Sequence, residues 1–188
     1  MPNSETTMTL KVAINGLGRI GRSTLAAIIE SGRTDIEVVA INAPGPLETH
    51  AHLLRYDSVH GRFPHEIKVS GNSIDVGTGP IDVQATYNAS ELNWDGVDVV
   101  LECTGAHNSK EACMVHLANG AKRVLISAPG KNADKTVVYG VNHDTLTSED
   151  LIVSNASCTT NRLAPMAKAF NGPVGIRSGL LTSIHAYT

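Results

Sequence analysis

Residues 15–21, Asn-Gly-Leu-Gly-Arg-Ile-Gly, constrain the fold of this chain more than any other segment. They follow a short apolar run and open a helical pattern over Arg19–Ser31. In a loop of this spacing, Gly16 allows the tight turn, Gly18 lets the backbone approach a pyrophosphate, and Gly21 lets helix and strand pack closely. The helix start offers unpaired N–H groups to phosphate oxygens. The segment therefore predicts a βαβ unit with a dinucleotide-binding loop.

Short apolar, β-branched runs recur along the chain, and several lack the alternating polar face of a half-exposed strand. Six of them are predicted strands: Lys11–Asn15, Glu37–Asn42, Val97–Cys103, Arg123–Ser127, Val137–Val141 and Leu151–Ser154. Helical patterns at Arg19–Ser31 and Ser109–Asn119 lie between them, and Asn108 with Glu111 resembles a capping box. Strands that alternate with helices predict an α/β fold with a doubly wound, mostly parallel Rossmann sheet.

Two segments depart from this alternation. From His65 to Thr86, three short alternating runs separated by glycine-containing turns predict a small antiparallel insertion. Further on, a helix over Cys158–Phe170, with a kink or an early end at Pro165, and a strand over Gly179–Ala186 indicate the start of a truncated α+β catalytic domain. The expected domains are a dinucleotide-binding domain at 1–157, with 1–9 a loose terminus, and an incomplete catalytic domain at 158–188.

Composition excludes several classes of partner. Hydrophobic residues make up 41% of the 188 residues, and the net charge is −3 with no run of five like charges. Nucleic acids and anionic membranes therefore find no electrostatic attraction, and no apolar stretch reaches the ~20 residues of a bilayer span. Three irregularly spaced cysteines fit neither a disulfide framework nor a zinc site, so we expect no metal and a cytoplasmic location. Cys103, Cys113 and Trp94 are predicted to pack in the core.

Cys158 lies between a predicted buried strand and a predicted helix start. A helix amino terminus stabilises a thiolate, the nucleophilic form of cysteine, and the hydroxyl groups of Ser157 and Thr159 flank this position. His185, 27 residues further on (185 − 158), is a candidate general base for such a nucleophile. A structural buried cysteine and an ordinary strand-end histidine are the alternatives, and the local sequence leaves both open. The other histidines, among them His116, carry no comparable signal.

The identity of the dinucleotide depends on the residue that follows the second predicted strand. An acid at the carboxyl end of that strand hydrogen-bonds the adenine ribose of NAD. Asp35 lies about 20 residues beyond the loop but precedes the strand, and position 43 at the strand's carboxyl end is alanine. Without a carboxylate at Ala43, a 2′-phosphate meets little repulsion, although no arginine follows closely to attract it. We therefore expect NAD as the cofactor, with NADP as the alternative.

Several segments together strongly resemble phosphorylating glyceraldehyde-3-phosphate dehydrogenases, in that family's order and spacing from about Lys11 to Thr188. They are NGLGRIGR near the start, LLRYDSVHGRF at 53–63, ECTG at 102–105, KRVLISAPG at 122–130, VVYGVN at 137–142, SNASCTTN at 154–161 and SIHAYT at 183–188. SNASCTTN is highly specific. The resemblance identifies the chain as the amino-terminal portion of such an enzyme and Cys158 as the family nucleophile.

The resemblance implies the glycolytic oxidation of glyceraldehyde 3-phosphate to 1,3-bisphosphoglycerate, with inorganic phosphate as co-substrate. It implies that Cys158 attacks the aldehyde to form a thiohemiacetal with His185 as base, and that phosphate cleaves the later thioester. The family's cofactor contacts fall on Gly16, Gly18, Arg19, Ile20, Gly21, Asn42, Ala43, Tyr87, Thr104, Gly105 and Ser127. Its substrate and phosphate contacts fall on Ser157, Cys158, Thr159 and Thr188. A homotetramer is implied for the full-length protein.

Four features depart from the family pattern. Ala43 replaces the usual acid, Tyr87 replaces the arginine of a Glu-Arg-Asp triplet, Arg162 replaces a second cysteine, and the chain stops at Thr188. Family members continue into a substrate domain, so we expect the isolated chain to be inactive or weakly active. Erythrose-4-phosphate dehydrogenase, which shares the cysteine and the histidine, is the alternative enzyme. A truncated dinucleotide-binding module without turnover is the alternative without catalysis.

Overall fold

The glycine loop joins the first strand to the first helix of the computed structural model, which describes residues 9–185. Strand β1 (Leu10–Asn15) leads into the loop, helix α1 (Arg19–Glu30) follows it, and β2 (Ile36–Asn42) comes next. Strands β1 and β2 pair in parallel, with Asn15 opposite Asn42 at their carboxyl ends. The βαβ unit predicted from the glycine spacing is therefore confirmed.

The remaining strands and helices extend this unit in both directions. In chain order they are α2 (Leu47–Arg55), β3 (Tyr56–Asp57), β4 (Gly61–Arg62), β5 (Lys68–Ser70), β6 (Ser73–Asp75), β7 (Pro80–Gln84), β8 (Val99–Glu102), α3 (Lys110–Ala118), β9 (Arg123–Ile126), β10 (Lys135–Thr136), β11 (Ile152–Ser154) and α4 (Cys158–Val174). Within residues 9–185 the main sheet has the order β10-β11-β9-β8-β1-β2-β7-β6-β5. Strands β3 and β4 form a separate antiparallel pair.

The strand order is that of a doubly wound sheet. From β1 the chain proceeds outward through β2 and β7, then returns to β8 on the other side of β1 and proceeds through β9 to β11. Every one of these neighbouring pairs is parallel. The direction of winding reverses between β1 and β8, and ligands of such sheets bind in the crevice outside the strand ends at that point. The predicted fold class is confirmed.

The predicted antiparallel insertion forms one edge of the same sheet. Strand β6 pairs antiparallel with both β5 and β7, while β7 pairs in parallel with β2. Ile74 lies opposite Val69 on one side and Ile81 on the other, and its buried side chain joins the core cluster that includes Leu25 of α1. The insertion therefore shares its core with the dinucleotide-binding scaffold.

The predicted strand over Val137–Val141 is wrong in its position. The strand here, β10, covers Lys135–Thr136, and the chain then turns. The side chain of Asn142 accepts a hydrogen bond from the Val138 N–H at 2.8 Å and donates to the Thr136 carbonyl at 3.1 Å. These bonds stabilise a turn in place of a longer ladder, because an asparagine side chain can satisfy nearby backbone groups.

Near the end of the chain, the early end of α4 and the last predicted strand are wrong, while a kink at Pro165 stays a prediction. Helix α4 does not end early at Pro165 but continues to Val174, and Lys168 beyond the proline anchors it by donating to the carbonyls of Gly140 and Val141. The predicted strand over Gly179–Ala186 is absent from its described part, 179–185, where no neighbouring strand offers hydrogen bonds. Ala186 lies outside the described residues.

Helix α2 and the cap of α3 were not foreseen correctly. Helix α2 lacks a long apolar stripe and buries only Ala51 and Leu54. Helix α3 is capped by Ser109, whose hydroxyl accepts from the Ala112 N–H, and not by Asn108. Among the described residues, none of the helices combines the length and the apolar character that crossing a bilayer requires.

Candidate functional site

Two of the three glycines of the loop, Gly16 and Gly21, occupy positions that have no room for a side chain. Gly16 has a φ of +95°, and a Cβ there would lie 2.8 Å from Cγ2 of Thr104. A Cβ at Gly21 would lie 2.0 Å from the carbonyl oxygen of Gly16. Gly18 precedes α1 without a side-chain cap, and a Cβ there would meet nothing within 4 Å. The amino terminus of α1 is therefore open to an anion.

Three buried polar side chains lie side by side at the carboxyl ends of β2, β1 and β8. Asn15 on β1 lies opposite Asn42 on β2 on one side and opposite Glu102 on β8 on the other. Asn42 Nδ2 donates to Asn15 Oδ1 at 2.8 Å, and Asn15 Nδ2 donates to Glu102 Oε2 at 2.6 Å. The other carboxylate oxygen of Glu102 accepts from the backbone N–H and the hydroxyl group of Thr104. This polar row lies at the point where the winding of the sheet reverses.

A cavity of about 370 Å³ adjoins the polar row and the glycine loop. It is lined by Asn15, Gly16, Leu17, Gly18, Asn42, Pro44, His50, Thr86, Tyr87, Ala89, Leu92, Cys103, Thr104, Ala106 and His107. Tyr87 is 91% exposed. The described lining residues include no aspartate, glutamate, lysine or arginine, so the wall offers amide, hydroxyl and imidazole groups together with apolar surface. We name it the loop cavity; its volume falls within the ~300–1,000 Å³ of small-molecule sites.

A second cavity of about 330 Å³ adjoins Cys158, and we name it the cysteine cavity. It is lined by Ile20, Thr24, Leu101, Cys103, Leu125, Ser127, Asn155, Ala156, Cys158 and Asn161. Cys103 belongs to the walls of both cavities. A molecule that occupied both would therefore pass the residue that directly follows β8.

Most of the predicted cofactor residues line these cavities. Gly16, Gly18, Asn42, Tyr87 and Thr104 line the loop cavity, and Ile20 and Ser127 line the cysteine cavity. Gly21 supports the loop, and Gly105 follows Thr104 with a φ of +74°. Gly21 and Gly105 line neither cavity, and the same holds for Arg19 and Ala43. Arg19 forms an ion pair with Asp57, and Ala43 is buried in the core cluster beside Pro44.

Cys158 is the first residue of α4 and is exposed. Its helix is capped by Ser157, whose hydroxyl accepts from the Thr160 N–H at 3.0 Å. The turn before it contains Ala156 with a φ of +57°, a conformation that costs a non-glycine residue roughly 1–2 kcal/mol. Asn161 Nδ2 stabilises the turn by donating to the Asn155 carbonyl at 2.6 Å. The strained turn therefore presents the cysteine sulfur at the start of a helix.

His185 lies beside the nucleophile candidate without bonding to it. Its Nε2 is 3.4 Å from the hydroxyl oxygen of Thr159 and 3.3 Å from that of Ser183. Within residues 9–185 no hydrogen bond joins His185 to Cys158. The predicted phosphate contacts Ser157 and Thr159 flank Cys158 in α4, whereas Thr188 lies outside the described residues.

The two other cysteines have environments that oppose a nucleophilic role. Burial raises the pKa of the Cys103 thiol to about 11, and it raises the pKa of the Cys113 thiol to about 12. Both thiols are therefore protonated near neutral pH. Cys113 and Trp94 are fully buried as predicted, while Cys103 is half-buried at the cavity walls.

A cluster of Glu102, His107 and His116 was not foreseen, and its spacing resembles a metal site. One ligand atom from each lies within 4.8 Å of the others. However, His116 Nδ1 accepts a hydrogen bond from Trp94 Nε1 at 3.1 Å, so the imidazole proton belongs on Nε2. A protonated Nε2 has no lone pair to give a metal. The sequence signal for this cluster was Glu102, an acid at the end of an apolar strand.

Comparison with known proteins agrees with this arrangement. The family model described as glyceraldehyde 3-phosphate dehydrogenase, NAD binding domain, matches residues 10–110, and that of the C-terminal domain matches residues 157–188. Glyceraldehyde-3-phosphate dehydrogenase from Xanthobacter flavus is 66% identical over 183 residues, covering 96% of this chain and 55% of the relative. The protein of that name from Cereibacter sphaeroides is 62% identical over 181 residues, covering 96% and 54%. The chain spans about half the length of the curated relatives it matches. It belongs to the glyceraldehyde-3-phosphate dehydrogenase family.

Proposed function

We propose that this chain carries the NAD-binding site and the nucleophile of a phosphorylating glyceraldehyde-3-phosphate dehydrogenase. The observation that carries the proposal is the shared wall at Cys103, where the loop cavity meets the cysteine cavity. A dinucleotide held at the glycine loop could extend past this residue toward Cys158. The relatives that bear this enzyme name are 55–66% identical to the chain, which supports the same chemistry.

The loop cavity fits the proposed cofactor in its chemistry. The open amino terminus of α1 suits a pyrophosphate, and Gly18 leaves room for it. Asn15, Asn42 and Thr104 line the cavity wall, where hydrogen bonds to one another, to Thr86 and to Glu102 hold their side chains, and the rest of the wall is partly apolar. Bound NAD would supply the hydride acceptor. The predicted contacts at Gly105, Ile20 and Ser127 follow the same path from the loop toward Cys158.

The proposed reaction uses Cys158 as a covalent nucleophile. Its sulfur bonds to the aldehyde carbon of glyceraldehyde 3-phosphate to form a thiohemiacetal, and the thiol proton passes by way of His185 to the carbonyl oxygen. His185 takes that proton back as the thiohemiacetal loses its hydride, which leaves a thioester on sulfur. An oxygen of inorganic phosphate then attacks the thioester carbon, the carbon–sulfur bond breaks, and the acyl phosphate leaves with Cys158 restored. Ser157, Thr159 and Thr188 are the proposed phosphate contacts.

The finer choice between NAD and NADP rests on Ala43. Its methyl group is 1% exposed and the neighbouring cavity wall has no carboxylate, so a 2′-phosphate would meet no negative charge there. The wall also has no lysine or arginine to attract one. We therefore propose NAD as the cofactor with tolerance of NADP. Calorimetric titration with each dinucleotide tests this, and a preference for NAD of about a thousandfold or more would contradict it.

Turnover is tested separately from binding. The chain is mixed with NAD, inorganic phosphate and either glyceraldehyde 3-phosphate or erythrose 4-phosphate, and reduced nicotinamide is followed by absorbance. Faster reduction with glyceraldehyde 3-phosphate, abolished in Cys158→Ser, supports the proposed enzyme. Faster reduction with erythrose 4-phosphate would favour the related dehydrogenase.

A binding module without turnover is the second candidate function. The lack of a hydrogen bond between Cys158 and His185 among the described residues favours it for the chain by itself. Dinucleotide binding with no reduction by either aldehyde is the outcome that would select it. We further propose a boundary between the two domains at residue 157, a cytoplasmic location and a homotetrameric full-length protein, by analogy with the family.

A further inference from the structure

His116 is buried on α3 and lines neither cavity, yet its hydrogen bonds lead directly to the loop cavity. Trp94 Nε1 donates to His116 Nδ1 at 3.1 Å. An indole N–H can only donate, so Nδ1 accepts and the ring proton is on Nε2. Nε2 lies 3.0 Å from Glu102 Oε2 and therefore donates to this carboxylate. Trp94 thus fixes the tautomer of His116 and makes Nε2 a donor to Glu102.

The same direction continues along the polar row. A carboxylate only accepts, so Asn15 must turn its NH2 group toward Glu102 and its carbonyl oxygen toward Asn42. Asn42 must then present its NH2 group to Asn15, which leaves its own carbonyl oxygen to accept from the Thr86 N–H at 3.1 Å. The orientation of both amides at the wall of the loop cavity is therefore determined by Glu102, the carboxylate to which His116 donates.

Glu102 receives as many donors as a carboxylate can accept. They come from His116, Asn15, and the backbone N–H and hydroxyl group of Thr104. Burial alone would raise the pKa of Glu102, but these hydrogen bonds hold it below its ordinary value. His107 also faces Glu102, with its Nδ1 3.7 Å from Oε2, and the charge of Glu102 adds to burial in raising the pKa of the Cys103 and Cys113 thiols. Loss of the His116 bond would leave the buried charge short of one donor.

Thr104 connects this carboxylate to the glycine loop. A Cβ at Gly16 would lie 2.8 Å from the Thr104 side chain and 3.0 Å from its backbone nitrogen, so the loop rests directly on this residue. Movement of Glu102 would therefore move Thr104 and the loop together. The two asparagines on its other side would lose their fixed orientation at the same time.

We propose that His116 is a positioning residue for the dinucleotide: through Glu102 it fixes Asn15, Asn42 and Thr104 at the wall of the loop cavity. The proposal rests on the proposed dinucleotide site. It assigns His116 no contact with the cofactor or with the reacting atoms. Its effect is on affinity, through groups that the cofactor meets.

The test compares His116→Gln with His116→Leu in the whole chain. A glutamine amide can accept from Trp94 and donate to Glu102, whereas leucine can do neither. We expect His116→Leu to weaken NAD binding by about tenfold or more and His116→Gln to stay within about threefold of the parent. Val124→Ala, a buried change on β9 outside the polar row, is the matched control and should weaken folding without changing affinity. Affinities that merely follow the unfolding midpoints of the three variants would overturn the proposal.

A second measurement needs no cofactor. In nitrogen-15 NMR, a coupling across the bond from Trp94 Nε1 to His116 Nδ1 and a protonated Nε2 are expected in the parent chain. The side-chain amide signals of Asn15 and Asn42 should shift in His116→Leu and in Trp94→Phe, and stay near the parent in Val124→Ala. Trp94→Phe removes the donor to His116 Nδ1 and serves as the second variant if His116→Leu fails to fold. Unshifted amides, or a proton on Nδ1, would overturn the proposal even if NAD binds. If the amide signals shift in these variants but the parent chain binds no NAD, the result would instead count against the proposed dinucleotide function.

Discussion

A side chain at Gly21 would place its Cβ 2.0 Å from the carbonyl oxygen of Gly16, closer than two such atoms can lie. Gly21→Ala must therefore displace the loop from helix α1. We expect this variant to lose about 2 kcal/mol or more of the free energy of unfolding and most of its NAD affinity. Urea unfolding and calorimetric titration measure the two losses.

Gly18→Ala separates loop packing from ligand contact. A Cβ at Gly18 meets nothing within 4 Å, so the unfolding midpoint should change little while NAD binding weakens, because the added methyl group meets the pyrophosphate. Gly172→Ala in α4, also unobstructed, should leave NAD binding unchanged. An equal loss of stability in Gly18→Ala and Gly21→Ala would contradict the packing argument.

Alkylation should distinguish the three cysteines. Cys158 is exposed, whereas burial raises the pKa of Cys103 to about 11 and that of Cys113 to about 12. Because the thiolate is the reactive form, iodoacetamide at pH 8 should modify Cys158 first, with Cys103 and Cys113 modified only after unfolding. Peptide mass spectrometry over time measures the three rates. Early modification of Cys103 at a rate like that of Cys158 would show that the cavity wall is more open than described.

Asp57 gives a prediction for stability against pH. Hydrogen bonds from the His60 and Val59 N–H groups, followed by the ion pair with Arg19, lower the pKa of Asp57 from 3.8 to about 2. A lowered carboxyl pKa contributes stability that is complete above about pH 4 and is lost as the pH falls toward 2. Asp57→Asn should therefore be less stable than the parent at pH 7, and this difference should shrink across that window.

Urea midpoints measured from pH 7 to pH 2.5 would follow the Asp57→Asn difference. Asp35→Asn is a matched comparison, because the pKa of Asp35 is also lowered to about 2. The partner of Asp35, Arg33, is exposed, and within residues 9–185 the Asp35 carboxylate accepts no hydrogen bond from the backbone N–H of a following turn. Its effect at pH 7 should be the smaller of the two, since exposed ion pairs contribute little. A constant difference between Asp57→Asn and the parent at every pH would exclude the carboxylate as the cause.

Ala43 gives a prediction for cofactor choice. Ala43 precedes Pro44, which lines the loop cavity, and the described wall of that cavity has no carboxylate, lysine or arginine. Because Ala43 is buried in the core cluster, Ala43→Asp should lose stability, and its charge should in addition lower the affinity for NADP relative to NAD by about tenfold or more, since a carboxylate repels a 2′-phosphate. Ala43→Asn adds a side chain of nearly the same size without the charge and should leave the ratio of the two affinities close to that of the parent. Equal ratios in both variants would mean that size, not charge, governs the choice.

The parallel part of the fold was predictable because its signals are local. The apolar run, the three glycines and the helix that follows specified β1, α1 and β2 within a residue of their observed bounds. The runs at 137–141 and 179–185 had the composition of strands, but a strand also needs a neighbour that completes its hydrogen bonds. Composition does not specify that neighbour. Helix α2 was missed because only Ala51 and Leu54 mark its buried face.

The candidate site was predictable only where the residues that identify it lie together in one short segment of the sequence. The glycine loop and Cys158 each lie in a short motif, and both were located from it. His116 was not, because its partners Trp94 and Glu102 are 22 and 14 residues away in the chain. Hydrogen bonds of that separation leave no periodic pattern in the sequence. Arg19 belongs to the same motif, and its cofactor contact stays a prediction; its ion pair with Asp57 had no signal in the sequence.

Cys103 stands in the walls of both cavities, so any change in its size alters both volumes together. It is in this sense a pleiotropic position. A substitution at position 103 selected for a tighter loop cavity would also change the cysteine cavity, and the reverse holds for one selected beside Cys158. A small side chain at position 103 is compatible with both cavities. The loop cavity and the cysteine cavity therefore cannot change in size at this position independently of each other.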